Sequence, residues 1–188
     1  MHKRFVVTSV LVTLLISNTF LISNTAASNN VDKIQSAAEQ GDVTAQYKLA
    51  IMYDSGDGFN ENNTQAVKWY REAADQGHGD AQIILGFHYE TGEGVFTSDT
   101  EAVKWFRKSA KQGNAKGQFV LGFHYEYGYG VHQNNIKAYV WLLLATMQNY
   151  DPALVHLDLL KHEMTKAQIT RAKSLAQRCI QSAYKHCH

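Results

Sequence analysis

The 188-residue chain carries 18 Lys and Arg against 17 Asp and Glu, for a formal net charge of +1, and it contains a single proline. A charge balance this close to neutral disfavours non-specific nucleic-acid binding, and the scarcity of proline favours a mostly helical chain. The length allows one domain of ordinary size with its own apolar core.

Residues 1–27 have the pattern of a secretory signal peptide: a basic start with Lys3 and Arg4, an apolar run over 5–16, and small residues before a predicted cleavage after Ala27. Removal of the segment leaves 16 basic and 17 acidic residues. The alternative is an uncleaved membrane anchor, but the apolar run is shorter than the roughly 20 residues that a span needs. We therefore expect an exported protein, periplasmic or secreted, with no stable membrane insertion after cleavage.

A 36-residue pattern then recurs three times without a gap, over 41–76, 77–112 and 113–148. A fixed period of this size predicts a solenoid, in which each unit buries its apolar face by stacking on the next. Each copy has two segments of helical periodicity separated by paired glycines, such as Gly56 and Gly58 in the first copy. One position of the second helix is predicted to be core in every copy, and it holds Trp69, Trp105 and Trp141.

Helices that cover the ends of the stack are predicted on both sides of the repeats. Residues 28–40 form a linker and an N-terminal capping helix, and residues 149–188 form C-terminal capping helices and a tail. Asp151 is the predicted N-cap of the first C-terminal helix. Thr165 and Gln168 fit a capping box at the start of the second.

The recurring motif AQ..LG..YE.GEGV....EAVKW.RK.A.QG resembles the Sel-1-like repeat, a relative of the tetratricopeptide repeat, from about Ala37 to Gln148. The resemblance implies an all-α, right-handed α/α solenoid of helix-turn-helix repeats. It also implies a scaffold or adaptor that binds other proteins, which in exported bacterial members is linked to the envelope or to host interaction. The sequence departs from the motif modestly, with Gly117 in place of the first-helix alanine and Phe59 in place of valine.

The first helices of such a solenoid line its concave face, and the positions that the motif leaves free there are unusually apolar in the second and third copies. We expect a hydrophobic groove, deepest between repeats two and three, that binds a helix or peptide, with Lys48, Glu90 and Glu126 as charges at its rim. The predicted lining residues are Tyr47, Ile51, Ile83, Ile84, Phe87, Phe119, Val120, Phe123 and Tyr127. The alternative is that these side chains pack against the neighbouring first helix.

The sequence shows no catalytic motif, metal site or cofactor site. His88 and His124 recur at one position, but the first copy has Met52 there, which favours a packing role. Residues two apart on a helix point in different directions, so His88 and Glu90 are not expected to hold a metal together. No serine elbow, HExxH motif or phosphate-binding loop is present.

Cys179 and Cys187 are the two cysteines, and a pair in an exported protein favours a disulfide. On one straight helix their Cα atoms would be about 12 Å apart, too far for a bridge. A disulfide therefore requires the helix to end near Ser182 and the tail to fold back.

These features predict a non-enzymatic protein-interaction scaffold or adaptor, in the bacterial envelope or secreted. One alternative is an envelope hydrolase, including the penicillin-binding or β-lactamase-like activity suggested for cysteine-rich members of the family, which the cysteine-free repeats disfavour. The other alternative is a periplasmic chaperone or assembly factor, and the oligomeric state stays open.

Overall fold

A computed structural model describes residues 30–184 and Cys187, and every regular element in this part of the chain is a helix. The predicted signal peptide, residues 1–27, lies outside the described residues. Helix α1 includes residues 30–39. The others are α2 (Val43–Ser55), α3 (Asn63–Asp75), α4 (Gly79–Thr91), α5 (Asp99–Lys111), α6 (Ala115–Tyr127), α7 (Asn135–Thr146), α8 (Pro152–Glu163) and α9 (Lys166–Gln181).

The helices stack as successive hairpins. Helices α2 and α3, α4 and α5, and α6 and α7 pack as pairs, and the second helix of each pair also packs on the first helix of the next. The first helices form a layer of their own, because α6 contacts both α4 and α8. The fold is an all-α solenoid, as the sequence predicts.

Polar caps at repeating positions set where each helix begins. The capping side chain accepts a hydrogen bond from the main-chain N–H three residues later, which satisfies one of the free donors at a helix start. The caps are Asp42, His78 and Asn114 for the first helices and Asn62, Ser98 and Asn134 for the second helices. Each first helix then ends at a left-handed glycine, namely Gly56, Gly92 and Gly128.

The second glycine of two loops lies directly against the preceding hairpin. A Cβ atom on Gly94 would collide with the main-chain oxygen of Asn63 at the start of α3, and one on Gly130 would collide with that of Asp99 at the start of α5. Both glycines have positive φ, of 71° and 63°. They therefore allow each loop to pack on the backbone of the repeat before it.

The core has the expected pattern of large rings and small residues. Trp105 and Trp141 are 6% and 3% exposed, and Trp69 is partly buried between two groups of core residues. Alanines on the second helices are fully buried, which lets neighbouring helices approach closely. These include Ala66, Ala73, Ala102, Ala110, Ala138 and Ala145.

A ladder of buried glutamines joins the repeats through hydrogen bonds. In the second repeat, Gln82 donates from Nε2 to the carbonyl oxygen of Ala74 at 2.9 Å, and its Oε1 accepts from Gln112 at 3.2 Å. Gln46 and Gln118 make the equivalent bonds in the other repeats. Burial of these amides is tolerated because both ends are hydrogen-bonded.

The C-terminal end differs in one detail from expectation. The capping box of Thr165 and Gln168 is present at the start of α9. Asp151 occupies the predicted position before α8, and α8 begins at Pro152, but Asp151 has helical backbone angles and its side chain makes no capping hydrogen bond. Proline suits this position because its missing N–H would be unpaired there.

The chain folds back after α9. Ala183 and Tyr184 both have positive φ, and the Tyr184 N–H donates to the carbonyl oxygen of Cys179 at 2.8 Å. This reversal brings Cys179 and Cys187 together in a disulfide with Cα atoms 4.6 Å apart. The helix end near Ser182 is the geometry that the spacing of the two cysteines requires.

Candidate functional site

An open cavity of about 200 Å³ lies in the layer of first helices, between α4 and α6. Helix α4 contributes Phe87 and Glu90 to its lining, and α6 contributes the rest. The α6 residues are Phe119, Val120, Phe123 and His124. The wall is therefore mostly aromatic and aliphatic, with one carboxylate and one imidazole.

Ring contacts with the surrounding elements hold the aromatic walls in place. The Phe87 ring, on a residue 38% exposed, packs on Phe106 of α5 with centroids 5.2 Å apart. Phe119 packs on Tyr150, beyond α7, at 5.3 Å. Phe123 packs on Tyr127 at 4.7 Å. Because each ring has a partner outside the cavity, the walls are formed before any ligand binds.

Glu90 and His124 form a polar contact at one side of the cavity. The His124 side chain is 2% exposed, its Nδ1 lies 3.1 Å from the carbonyl oxygen of Tyr129, and its Nε2 lies 3.0 Å from Oε1 of Glu90. A carbonyl oxygen only accepts hydrogen bonds, so Nδ1 is the donor to Tyr129. Nε2 is then the ring nitrogen that faces the side chain of Glu90.

The same acid–histidine contact links every pair of neighbouring first helices from α2 to α8. Asp54 contacts Nε2 of His88 at 3.3 Å, and Glu126 contacts Nδ1 of His156 at 2.8 Å. We call these three contacts the acid–histidine clasps. Glu90 thus pairs with a histidine of the next repeat, and His88 pairs with an acid of the previous one.

Glu126 does not lie at a rim, which corrects the expectation from sequence. It is 8% exposed, and burial raises the pKa of its carboxyl group. The hydrogen bond from His156 lowers that pKa but is the smaller effect. Lys48, by contrast, is exposed as expected.

The predicted lining residues fall into three groups. Phe87, Phe119, Val120 and Phe123 line the cavity. A second group lies outside the cavity: Ile51 of α2 and Tyr127 of α6 are exposed, and Tyr47 and Ile84 are partly buried. Ile83 is fully buried in the same core as Leu121 and cannot contact a partner, which corrects its predicted place in the groove.

The burial of Ile83 follows from its position between adjacent first helices. The equivalent Tyr47 stacks on His78 at 4.2 Å, and the equivalent Phe119 packs on Tyr150 at 5.3 Å. Both contacts are made with residues near the start of the next hairpin. Ile83 has a shorter side chain than Tyr47 or Phe119, and its side chain is fully buried.

One segment of each repeat contains acidic residues and no basic ones. The end of each first helix and the loop after it, over residues 54–62, 90–98 and 126–134, contain no Lys or Arg; we call these three segments the acidic edge. Their acids are Asp54, Asp57, Glu61, Glu90, Glu93 and Glu126. The second helices carry basic residues instead, namely Lys68, Arg71, Lys104, Arg107, Lys108, Lys111 and Lys137.

Within residues 30–184 and Cys187, no group of three or more His, Cys, Asp or Glu side chains is placed to hold a metal ion. None of the described helices combines the length and the apolar character needed to cross a membrane.

The fold places the chain among helical-repeat proteins built from stacked hairpins. The chain belongs to the Sel1 repeat family, whose family model matches residues 43–78, 79–114 and 115–150. These windows have the period found by inspection of the sequence. Proteins with Sel1 repeats generally mediate protein–protein interactions and are typically non-catalytic scaffolds.

Solved structures of 20 chains are similar to this one, whereas a comparison with curated proteins gives no match. A Sel1 repeat protein from Oxalobacter formigenes is 35% identical, with a TM-score of 0.64, over 69% of this chain and 97% of that one. The protein c5321, a protective antigen present in uropathogenic Escherichia coli strains, is 27% identical with a TM-score of 0.61. That match covers 82% of this chain but only 42% of c5321.

Proposed function

We propose that this protein is a non-enzymatic binding module that holds a peptide or helix of a partner protein on its concave face. The observation that carries the proposal is the cavity between α4 and α6, with Phe87, Phe119 and Phe123 in its walls. Soluble proteins rarely leave aromatic rings grouped around an open depression unless something binds there. The acid and imidazole beside the rings provide the few polar groups that orient a ligand.

The size of the cavity favours a side-chain anchor over a small-molecule ligand. Pockets for drug-sized molecules usually enclose about 300–1,000 Å³, whereas this cavity encloses about 200 Å³. One large apolar side chain of a bound segment fills such a volume. The rest of that segment then lies along the exposed side chains of the first helices, including Ile51 and Tyr127.

We also propose that the protein acts outside the cytoplasm, either in the periplasm or beyond the cell. The signal-like pattern of residues 1–27 supports export. The disulfide between Cys179 and Cys187 supports an oxidising compartment, because cytosolic proteins usually keep their thiols reduced. Cell fractionation, with mass spectrometry of the mature N-terminus, tests this; we expect a chain that begins at Ser28 outside the cytoplasm.

Photo-crosslinking from the cavity tests the binding proposal. A photoreactive residue at Phe123 is expected to crosslink to a partner in intact cells, and the same residue at Lys104, exposed on α5, is not. A variant with Phe87→Asp and Phe123→Asp should lose the partner and keep its helical circular dichroism. Phe96→Asp is the matched control, since Phe96 is 94% exposed and outside the cavity. Equal crosslinking from positions 123 and 104 would exclude this site.

A further inference from the structure

We propose that the segment bound in the α4–α6 cavity carries an apolar side chain next to a Lys or Arg, and that Glu90 binds the basic group. The inference rests on the proposed function, because it assumes that a peptide occupies the cavity. It adds the chemistry of that peptide and identifies the residue that selects it.

The first argument is the incomplete hydrogen bonding of Glu90. Its side chain is 25% exposed and lines the cavity, and Oε1 contacts His124 at 3.0 Å. Among the described residues, Oε2 has no hydrogen-bond partner. Each carboxylate oxygen has two lone pairs, so Glu90 retains acceptor capacity beside the apolar walls.

The neighbouring clasps leave no equivalent group. Asp54 contacts His88 with Oδ1, and its Oδ2 accepts a hydrogen bond from Tyr70 at 3.3 Å, so both oxygens are engaged. Glu126 is buried and contacts His156 with Oε2. Of the three acids in the clasps, Glu90 alone lines the cavity.

The second argument is the surface around Glu90. Phe87, Phe119 and Phe123 line the same cavity as the carboxylate. A charge pair is stronger where a bound peptide and apolar walls exclude water. The aliphatic stem of Lys or Arg packs on such rings while its charged end reaches the acid. An arginine also gains from the face of an aromatic ring.

The third argument is long-range charge. Glu90 belongs to the acidic edge, whose three segments contain six acids and no Lys or Arg. The basic residues of the repeats lie on the second helices and, on the first helices, at Lys48 and Lys116. A surface of one sign attracts oppositely charged segments and repels like-charged ones. The concave side therefore favours a cationic peptide and disfavours an acidic one.

Selection from a display library of random heptapeptides tests both the proposed function and the preference for a basic residue. On the purified wild-type protein we expect enrichment of sequences with a large apolar residue adjacent to Lys or Arg. Enrichment of apolar residues without a basic neighbour, or with acidic neighbours, would overturn this inference and leave the proposed function standing. An absence of any enrichment, or selected peptides that still bind the Phe123→Asp variant, would overturn both.

The role of Glu90 is measured with one selected peptide, labelled for fluorescence anisotropy, and its analogue with norleucine for Lys or citrulline for Arg. Wild type is expected to bind the charged peptide roughly five- to tenfold more tightly than the analogue. Glu90→Gln should bind the two peptides equally. Asp54→Asn, which alters the equivalent clasp outside the cavity, should retain the difference. Loss of discrimination in Asp54→Asn, or its persistence in Glu90→Gln, would show that Glu90 does not bind the basic group.

Discussion

Gly94 meets two separate requirements, a positive φ of 71° and close contact with the backbone of Asn63. We expect Gly94→Ala to lower the free energy of unfolding by about 2–4 kcal/mol, because it combines backbone strain with a steric clash. Gly41→Ala is the matched control, since Gly41 has a φ of 92° and nothing within 4 Å of the added methyl group. The free energy of unfolding of Gly41→Ala should fall by only about 1 kcal/mol. Urea unfolding followed by circular dichroism measures both, and equal losses would show that the backbone contact is unimportant.

The burial of Glu126 makes stability depend on pH in a definite direction. Its pKa is raised in the folded protein, so the folded state keeps the proton at a higher pH than the unfolded chain does. Wild type therefore gains stability from this group as the pH falls toward the ordinary value of 4.5 and loses it as the pH rises through the raised folded pKa. Glu126→Gln keeps an acceptor for His156 but does not titrate.

We predict that the free energy of unfolding of wild type, relative to that of Glu126→Gln, increases as the pH is lowered from about 7.5 to about 5. Urea unfolding of both proteins in the same buffers provides the measurement, with circular dichroism to verify that each is folded at both pH values. Titrations of groups that do not contact residue 126 cancel in the comparison. A stability difference that stays constant with pH, or changes in favour of the variant, would contradict the assigned effect of burial.

At the scale of single residues, the sequence predicts the core positions within a repeat more reliably than the contacts between repeats. Trp105 and Trp141 are core as expected, because an identical residue at an identical helical position has the same surroundings in each copy. The clasp between Glu90 and His124 was not foreseen, since its partners lie 34 residues apart and not one period apart. A search for acid–histidine pairs near, but not at, the repeat spacing would have found it.

At the scale of elements, the end of α9 depends on a covalent link. Cys179 is fully buried, and the disulfide holds the reversed tail so that Tyr184 packs beside Gly113 and the core. Reduction should lower the free energy of unfolding by about 2–3 kcal/mol, the value expected for a short closed loop. Urea unfolding with and without dithiothreitol measures the change.

The control for that experiment is the double variant Cys179→Ala and Cys187→Ala. It should unfold at the same urea concentration with and without reductant, which separates loss of the bridge from other effects of the reagent. Peptide binding in the α4–α6 cavity should survive reduction, because the disulfide lies among α9 residues outside the cavity lining. A wild-type protein insensitive to reductant would mean that the bridge does not stabilise the fold.

The sequence also predicts the elements well for a physical reason. Helix ends depend on local groups, such as the cap at Asn62 or the left-handed Gly56, and these recur with the motif. Asp151 makes no capping hydrogen bond, and Pro152 at the first helical position leaves one fewer free N–H group at the start of α8. Local sequence does not predict which residues line the cavity, because the exposure of Ile83 or Phe87 depends on how closely the next hairpin approaches.

At the scale of the whole molecule, burial is unequal along the stack. The largest group of core residues in the described chain extends from Ile83 to Cys187, whereas the buried apolar residues of α2 and α3 belong to two smaller groups. In a solenoid each hairpin is stabilised mainly by its neighbours, so regions can open separately. We therefore expect the first hairpin, α2 and α3, to open before the hairpin of α6 and α7.

Native-state hydrogen exchange tests this order. Amides of α2 and α3 should exchange at least roughly tenfold faster than those of α6 and α7, after correction for intrinsic rates, because fewer buried contacts oppose their opening. Leu49→Ala removes a fully buried side chain, and such a change typically costs about 2–5 kcal/mol. It should speed exchange in the first hairpin and leave α6 and α7 nearly unchanged. If exchange in all helices instead accelerates together, the solenoid opens as one cooperative unit, and the unequal distribution of core residues does not govern where it unfolds.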